Sequence, residues 1–349
     1  MLMGEVGLNV RIMCRKRSGR PRSTTSASAL AKDAGDCLAF LPGGSVLVTE
    51  RNGKLKRIEG GKVFPVTGVP AVYNEGQGGL FDVVAHPDFN NNGLIFLSYA
   101  HGAKQANGTR VARAKLVGNS LIEVTPIYTA LPLKSGPVHF GARMAFLPDG
   151  TFLLATGDGF DWRERAQKLD SPLGKVMRLT IDGKVPPDNP FVSNPGAQGS
   201  IFTRGHRNPQ GIAWADDGTM YASEFGQDTW DELNLITAGD NYGWPTVEGI
   251  ADDDRFTDPV QQWSPDEASP SGIAIDDGSI WIANLRGERL REVPLDDVTT
   301  STEHLVGEHG RLRDVAVAAD GSLWVLTNNT DGRGDPDDGD DRILRIVVR

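Results

Sequence analysis

Residues 144–158 read MAFLPDGTFLLATGD, and this stretch holds the pattern that decides the fold. Its two halves alternate between apolar and small or polar residues, with a period of two that is typical of strands. Between them lies Asp149-Gly150, a dipeptide that favours the tight turn of a β-hairpin. The stretch therefore predicts two antiparallel strands joined by a short turn.

The same pattern recurs along the chain, and the copies align on an alanine in the first strand. The copies are CLAFLPGGSVLVTE (37–50), VVAHPDFNNNGLIFLSY (83–99), MAFLPDGTFLLATGD (144–158), IAWADDGTMYASE (212–224), IAIDDGSIWIAN (273–284) and VAVAADGSLWVLTNN (315–329). The aligned alanines are Ala39, Ala85, Ala145, Ala213, Ala274 and Ala316. Their separations, roughly 40 to 70 residues, are those of propeller blades with loop insertions.

Six matched hairpins predict an all-β fold, a six-bladed β-propeller. Further strand-like segments, such as residues 54–58 and 289–293, extend the hairpins into blades. An all-β sandwich of many short strands is the alternative, but it does not explain six matched copies. We expect one propeller domain over residues 34–349.

The two ends of the chain bear on how the ring closes. Residues 342–348 (RILRIVV) suit a closing strand, whereas the segment just before Cys37 has little β-forming character. Residues 1–33 are basic and then rich in Ser, Thr and Ala, without the apolar segment of a secretory signal. We interpret residues 1–33 as a disordered or misassigned basic leader outside the fold.

Composition argues against several classes of function. The 36 basic and 46 acidic residues give a net charge of −10, which disfavours nucleic-acid binding because phosphate contacts need a positive surface. Cys14 and Cys37 are too few for a zinc site or a disulfide framework. No apolar run reaches the length of about 18 residues that a membrane helix needs, so no membrane span is expected.

Polar residues that do not fit the hairpin pattern fall mostly between the copies, where propellers bind ligands at the mouth of the central channel. These residues are Gln77, His139, Arg207, Asn208, Arg286, Arg311 and Arg313. Guanidinium groups bind planar carboxylates through paired hydrogen bonds, so arginines converging from several blades favour a polycarboxylate ligand. Ordinary surface ion pairs and a structural role for His139 are the alternatives.

A metal site is the second hypothesis from the loops. Asp231 and Glu232 with Tyr242 and the backbone carbonyls of Gly226 and Gln227 offer the oxygen ligands that Ca²⁺ prefers. Turn stabilisation by Asp231 is the alternative. The acidic segment 331–341 lacks the spacing of an EF-hand, and we interpret it as a solvated hairpin loop.

These motifs, in this order, resemble the soluble PQQ-dependent aldose dehydrogenases of the glucose/sorbosone dehydrogenase family. The matching segments are EGQGGLFDVVAHPDFNNNG (75–93), HFGARMAFLPDG (139–150), AQKLDSPLGKVMRL (166–179), GHRNPQG (205–211), SEFGQDTWDELNLITAGDNYGWP (223–245), RLRDVAV (311–317) and DGRGDPDDGDDRILRI (331–346). The resemblance covers nearly all of the chain after the leader.

The resemblance implies a quinoprotein that oxidises the C1 hydroxyl of aldoses to lactones. His139 matches the general base, and hydride passes from C1 of the sugar to C5 of the quinone. Arg207 and Asn208 match residues near the quinone carbonyls. Gln77, Arg311, Arg313 and, with arginine in place of lysine, Arg286 match other PQQ contacts.

The resemblance also implies two calcium ions. Gly226 and Gln227 match the carbonyl ligands of the Ca²⁺ beside PQQ, with Gln227 in place of a proline. Glu232 and Tyr242 match a second, structural calcium site. Val138 stands where the glucose-specific branch carries an aspartate, so we expect broader aldose specificity.

The expected partners are an aldose substrate and an electron acceptor of a quinone, cytochrome or dye type, in a monomer or homodimer. The family resemblance implies a periplasmic or secreted protein, although no signal peptide is visible in this chain. Two alternative functions are a calcium-dependent lactonase or esterase on a six-bladed propeller and a non-catalytic propeller that binds other molecules. The arginine-rich loops disfavour the first, and the combination of His139, Gln77 and Arg207 disfavours the second.

Overall fold

The structure is a computed structural model that describes residues 22–24 and 35–348. Its strands form six four-stranded antiparallel sheets, which are the blades of a propeller. The prediction of an all-β, six-bladed β-propeller is thus confirmed. In the described residues the helices are Phe89–Asn92 and the 3₁₀ helix Arg163–Gln167, and neither has the length or apolarity needed to cross a membrane.

The blades follow one another along the chain. Blades 1 and 2 consist of Gly35–Phe40, Val46–Glu50, Lys54–Glu59 and Lys62–Val66, then Leu80–Ala85, Leu94–Ala103, Ala106–Val117 and Ser120–Thr129. Blades 3 and 4 consist of Met144–Phe146, Phe152–Thr156, Lys175–Leu179 and Ile201–Arg204, then Pro209–Trp214, Met220–Glu224, Asp231–Ile236 and Gln261–Trp263. Blades 5 and 6 consist of Pro270–Asp276, Ser279–Asn284, Arg289–Pro294 and Thr302–His304, then Leu312–Val317, Leu323–Thr327, Ile343–Val347 and Arg22–Thr24.

Each predicted hairpin forms the first two strands of a blade, and the six alanines lie in the first strands. One alignment is wrong by a residue. Ala39 packs towards the next blade, in the cluster between blades 1 and 2, whereas Ala85 packs back into that same cluster and the preceding Val84 packs towards blade 3. Val84 is therefore the counterpart of Ala39. The reason is that a helix, Phe89–Asn92, joins the two strands of the blade 2 hairpin in place of a tight turn, so this copy does not align with the others residue by residue.

The period of two builds the core because the two faces of every strand pack on different neighbours. In blade 1, Leu47 packs with Leu80 and Ile95 of blade 2, whereas Val48, the next residue, packs with Leu326 of blade 6. Equivalent apolar clusters lie between each successive pair of blades around the ring. The core is therefore six interfaces between blades.

The ring is closed by the N-terminal segment, which corrects the prediction for residues 1–33. Arg22–Thr24 pairs antiparallel with Ile343–Val347 and becomes the outer strand of blade 6. The predicted closing strand at residues 342–348 therefore forms, but its partner lies further upstream than the segment before Cys37. Pairing covers an otherwise open strand edge, which gains backbone hydrogen bonds without requiring strong β propensity. The rest of the proposed leader lies outside the described residues.

Polar side chains from four blades meet at the propeller axis. Arg143 Nη1 lies 3.6 Å from Asp82 Oδ1 and 3.4 Å from Asp314 Oδ1. The thiol of Cys37 donates to Asp82 Oδ1 at 2.7 Å, and Leu38 N donates to Asp314 Oδ2 at 2.7 Å. Cys37, Asp82 and Asp314 are buried and Arg143 is partly buried, and all of them are paired, so polar side chains occupy the axis.

Candidate active site in the axial cleft

A cleft lies on one side of the propeller. It comprises two adjoining cavities of about 290 and 440 Å³, which share several lining residues. Its walls come from the loops that enter the first strands of blades and from the residues that directly follow second strands. The shared lining residues are Gln77, Asn208, Phe225, Leu285, Arg311 and Arg333.

The cleft brings together most of the predicted site residues. His139, Arg207, Gly226, Gln227 and Arg286 line the larger cavity, and Arg313 lines the smaller one. Gln77, Asn208 and Arg311 line both. Glu232 and Tyr242 line neither cavity, so the structure does not place them with the other residues.

The loop that carries His139 has an unusual backbone. His139 has a φ of 49° and Gly141 a φ of 65°, and left-handed conformations of non-glycine residues often mark functional sites. The side-chain oxygen of Gln77 accepts from His139 N at 2.8 Å, and that of Asn208 accepts from Gly141 N at 3.1 Å. Because both amide oxygens are engaged by backbone N–H groups, the amide NH₂ groups of Gln77 and Asn208 remain as donors for a ligand.

His139 forms a buried pair with Asp158, the second residue after a strand of blade 3. Nδ1 of His139 lies 2.7 Å from Oδ1 of Asp158. Asp158 also accepts hydrogen bonds from Phe160 N and Trp244 Nε1, each at 2.8 Å. A carboxylate partner places the ring proton on Nδ1, so Nε2 carries the free lone pair of a base.

The surroundings keep the imidazole of His139 unprotonated. Burial lowers the pKa of His139 below its ordinary value, and the nearby Arg207 and Lys134 act in the same direction, while Asp158 opposes them. Burial raises the pKa of Asp158, but the hydrogen bonds from His139, Phe160 and Trp244 outweigh it and the pKa is lowered. At neutral pH the pair is thus a neutral imidazole beside a carboxylate, which suits proton abstraction.

Arg207 carries a buried positive charge on the cleft wall. Its side chain is 8% exposed, and within the described residues no carboxylate lies within ion-pair distance of it. Nη1 donates to the carbonyl of Phe225 at 3.1 Å, and the guanidinium lies over the Trp244 ring at 5.5 Å. Burial lowers the pKa of Arg207 against the opposing field of Asp158 and other carboxylates. Buried charges are normally paired, so this group favours an anionic ligand.

The other arginines are held by acidic neighbours. Arg311 Nη2 lies 3.1 Å from Asp331, and Arg313 Nε lies 2.6 Å from Asp36. Arg313 Nη1 also donates to Gln210 and Ser271, each at 3.1 Å. These contacts fix the direction of two guanidinium groups at the cleft.

Arg286 differs from them because it sits at the rim. It is exposed, and its Nη2 lies 2.5 Å from the exposed Asp266. A surface ion pair of this kind is weak, so Arg286 can exchange its partner for a ligand at little cost.

The acidic segment 331–341 is not simply a solvated loop, and that interpretation is wrong for part of it. Asp331 and Arg333 line the cleft, and Asp341 is buried, accepting from Asn329 N at 2.6 Å. Asp331 accepts from Arg333 N at 2.8 Å while it holds Arg311. The composition of the segment does not indicate which of its aspartates contacts Arg311, which lies on the other side of the blade 6 hairpin.

Gly226 and Gln227 form a turn whose N–H groups are held by carboxylates. Gly226 N donates to Asp231 at 2.8 Å, and Gln227 N donates to Glu248. Asp231 also accepts from Ser269 N at 2.6 Å, and burial raises its pKa to about 6. Asp231 therefore stabilises the turn, as the alternative interpretation holds, and the backbone carbonyls of Gly226 and Gln227 remain as ligands for a cation.

Glu232 lies in a second group of buried carboxylates. Burial and then the charge of Glu224 raise its pKa to about 8. The Oδ1 atom of the neighbouring Asn234 is buried and has no hydrogen-bond partner among the described residues. A carboxylate and an orphaned amide oxygen fit a hard cation. Nowhere in the described residues do three or more His, Cys, Asp or Glu side chains form a group that could hold a metal. The remaining ligands of a cation at Glu232 would therefore be backbone oxygens.

The hydroxyl of Tyr242 is already engaged. It donates to the carbonyl of Leu235 at 2.6 Å and accepts from Thr237 N at 3.0 Å, while the ring stacks on His206 at 4.6 Å. Any metal contact from Tyr242 would therefore use its backbone carbonyl.

Sequence reasoning missed the residues that hold the predicted ones in place. Asp158, Asp36, Asp331, Trp244 and Arg333 were not assigned to the site. A signal exists for Asp158, which stands between two glycines directly after a predicted strand. No comparable signal marks Asp36, because its partner Arg313 lies near the other end of the chain, or Asp331, because it stands in a segment of many aspartates.

The fold and the cleft define a class: a six-bladed propeller with an arginine-rich axial site and a buried histidine–aspartate pair. A sequence profile of the family described as Glucose / Sorbosone dehydrogenase matches residues 35–345. The chain belongs to the glucose/sorbosone dehydrogenase family, and the prediction of an oxidoreductase of this type is confirmed.

Named relatives agree with this assignment. The aldose sugar dehydrogenase of Escherichia coli is 35% identical over 84% of this chain and 87% of its own length. Quinoprotein glucose dehydrogenase B of Acinetobacter calcoaceticus is 34% identical over 63% of this chain and 52% of its own length. The PQQ-bound aldose sugar dehydrogenase of Streptomyces coelicolor superposes with a TM-score of 0.86 at 41% identity, covering 95% of this chain and 99% of that one.

Proposed function

We propose that this protein is a PQQ-dependent dehydrogenase that oxidises the C1 hydroxyl of aldoses to lactones. The observation that carries the proposal is the buried Arg207, which forms no ion pair with any carboxylate in residues 35–348 and lines the same cavity as His139. An anionic cofactor would pair this charge where a base is already in place. The named relatives, one of which is a PQQ-bound structure, support the same conclusion.

The residues of the cleft fit the cofactor. PQQ is planar and carries three carboxylates, and when bound it accepts the hydride from C1 of the sugar. Arg311, Arg313 and Arg333 would bind its carboxylates, and Arg286 would contribute from the rim. Arg207 and the amide groups of Gln77 and Asn208 would donate to its carbonyl side, where positive charge stabilises electron density that develops during the reaction.

His139 would act as the general base. Its Nε2 accepts the proton of the anomeric hydroxyl, because Nδ1 already donates to Asp158. The carboxylate of Asp158 stabilises the imidazolium that forms and fixes the ring orientation, and Trp244 and Phe160 N hold that carboxylate. The product is the lactone, and the proton leaves through His139.

Calcium would occupy two places. Gly226 and Gln227 would bind one Ca²⁺ through carbonyl oxygens beside the cofactor, where the cation polarises the quinone. Glu232, with Asn234 and the backbone carbonyl of Tyr242, would bind a second and offset the repulsion between Glu232 and Glu224.

Two residues of the site that differ from the family pattern, Val138 and Arg286, favour broad aldose specificity. Val138 lines the cleft beside His139 and has no polar group for a sugar hydroxyl. Arg286 is an exposed rim residue that does not contribute to a closed pocket. Sugars would therefore be selected mainly by the groups around C1.

The residues on the propeller axis disfavour the alternative function of a calcium-dependent lactonase. An axial calcium would need oxygen ligands around it, whereas the guanidinium of Arg143 lies between Asp82 and Asp314. The non-catalytic alternative leaves the ordered pair of His139 and Asp158 without a role.

Reconstitution tests the proposal. We expect apoprotein mixed with PQQ and Ca²⁺ to reduce a dye in the presence of aldoses, and protein without PQQ to be inactive. Lactone hydrolysis that needs no PQQ would favour the alternative, and dye reduction equal in both samples would contradict the proposal.

A further inference from the structure

Two exposed aromatic side chains lie on the loop that follows Asp158, and one of them, Phe160, contacts the imidazole of His139. Phe160 is 44% exposed and Trp162 is 37% exposed, and every other aromatic side chain in residues 35–348 is at least partly buried. The Phe160 ring centroid lies 5.3 Å from that of the His139 imidazole, in a nearly perpendicular arrangement. Large apolar groups concentrated at a site edge favour a binding role over chance exposure.

The position of Phe160 is fixed by its backbone. Its φ of 65° is rare for a residue with a side chain, and its N–H donates to Asp158 at 2.8 Å. The preceding Gly159 has a φ of 74° and packs so closely on Lys134 that a Cβ there would lie 2.5 Å from Lys134 Cδ. The same carboxylate that orients His139 therefore also orients Phe160.

The far side of this loop is anchored as well. Lys175 is fully buried, and its Nζ donates to the carbonyls of Arg165, Ala166 and Leu173 at 2.6 to 2.8 Å. Arg163 donates to the side chain of Gln227 at 3.1 Å across the cleft. The exposed rings thus belong to a loop held at several points, which preorganises a binding surface.

From this geometry, and resting on the proposed function, we propose that Phe160 and Trp162 form an aromatic platform for the substrate. An aldopyranose has an apolar face of C–H groups and a rim of hydroxyls. A sugar whose C–H face packs on Phe160 would lie close to the imidazole of His139, because the two ring centroids are 5.3 Å apart. The binding energy comes from the apolar face, so it is available to many aldoses.

The test compares Phe160→Leu with Phe160→Tyr, which keeps a ring. An exposed Val306→Ala, in a different loop, serves as the matched control. On PQQ-loaded protein we expect Phe160→Leu to raise the KM for an aldopyranose about tenfold with kcat within about twofold, since ground-state and transition-state binding are lost together. Phe160→Tyr restores the KM, and Val306→Ala leaves it unchanged.

A binding measurement separates this proposal from the proposed function. Calorimetry with an aldonolactone on PQQ-loaded protein should show the same loss of affinity in Phe160→Leu, with PQQ affinity and the thermal midpoint retained. Weakened lactone binding by Phe160→Leu supports the platform even if the wild-type protein oxidises no aldose, which would overturn only the dehydrogenase assignment. Unchanged KM and lactone affinity, or a parallel fall in PQQ affinity, would overturn the platform.

Discussion

Asp158 Oδ1 accepts from His139 Nδ1 at 2.7 Å, and this contact joins the loop that enters blade 3 to the end of its second strand. Both side chains are buried. The pair resembles the histidine and orienting carboxylate of enzymes that abstract protons, in which the carboxylate fixes the tautomer of the imidazole. It is the most specific chemical feature of the cleft.

Removing the base should stop the chemistry and spare the cofactor. We expect His139→Gln to lower kcat by about 10²- to 10⁴-fold, the usual contribution of a general base. Arg207 and the other arginines are untouched, so PQQ affinity should stay within about threefold of wild type. Steady-state kinetics and an equilibrium titration of PQQ check the two quantities. Full turnover would remove His139 from the mechanism.

The pH dependence of kcat/KM should report the state of His139. Burial lowers its pKa below the ordinary value of 6.5, and only the neutral imidazole accepts a proton, so activity should fall only below about pH 6.5. Asp158→Asn removes the one neighbour that favours the imidazolium, so the acidic limb should move to lower pH and kcat should fall at least about tenfold. A limb that moves to higher pH would contradict this assignment.

Arg333 provides a test of cofactor binding away from the chemistry. It lines both cavities, and none of the described carboxylates forms an ion pair with its guanidinium. Losing one exposed charge-assisted contact should weaken PQQ binding about tenfold in Arg333→Gln. Arg345→Gln, which breaks an exposed ion pair with Asp320, is the control and should leave PQQ affinity unchanged. Equal affinities in the two variants would exclude Arg333 from the cofactor site.

Calcium should stabilise the protein through Glu232. Adding Ca²⁺ to the apoprotein should raise the thermal midpoint, because a ligand that binds only the folded state shifts the equilibrium towards it. In Glu232→Gln the increase in thermal midpoint that comes from the site at Glu232 should be lost. Glu59→Gln, which removes an exposed ion pair, is the control, and Ca²⁺ should raise its thermal midpoint as much as that of wild type. A full response in Glu232→Gln would place the stabilising cation elsewhere.

Lys175 should matter for the loop that carries Phe160. Its ammonium group satisfies three buried carbonyls, so Lys175→Met should lower the free energy of unfolding by about 2 to 4 kcal/mol. The exposed Lys168→Met, in the same loop, is the control and should change the free energy by less than about 0.5 kcal/mol. Urea unfolding measures both, and equal midpoints would show that the buried ammonium does not support the loop.

The site was partly predictable, for reasons that differ between residues. His139, Arg207 and Arg311 stand in loops between matched hairpins, and the resemblance to a family gave each a role. Asp158 has a local signal, because it stands between two glycines directly after a predicted strand. Asp331 holds Arg311 from within an acidic segment whose composition indicates only solvation.

Local sequence is enough to predict the blades, because alternation and turn-forming dipeptides act between residues that are close in the chain. Ala39 and its counterparts mark first strands for this reason. Contacts between distant groups are visible only in the folded protein: Arg143 lies between Asp82 and Asp314 on the axis, and Arg22–Thr24 forms the outer strand of blade 6. Such contacts join residues from different blades or from opposite ends of the chain, so no local pattern encodes them, and they form only when the ring closes.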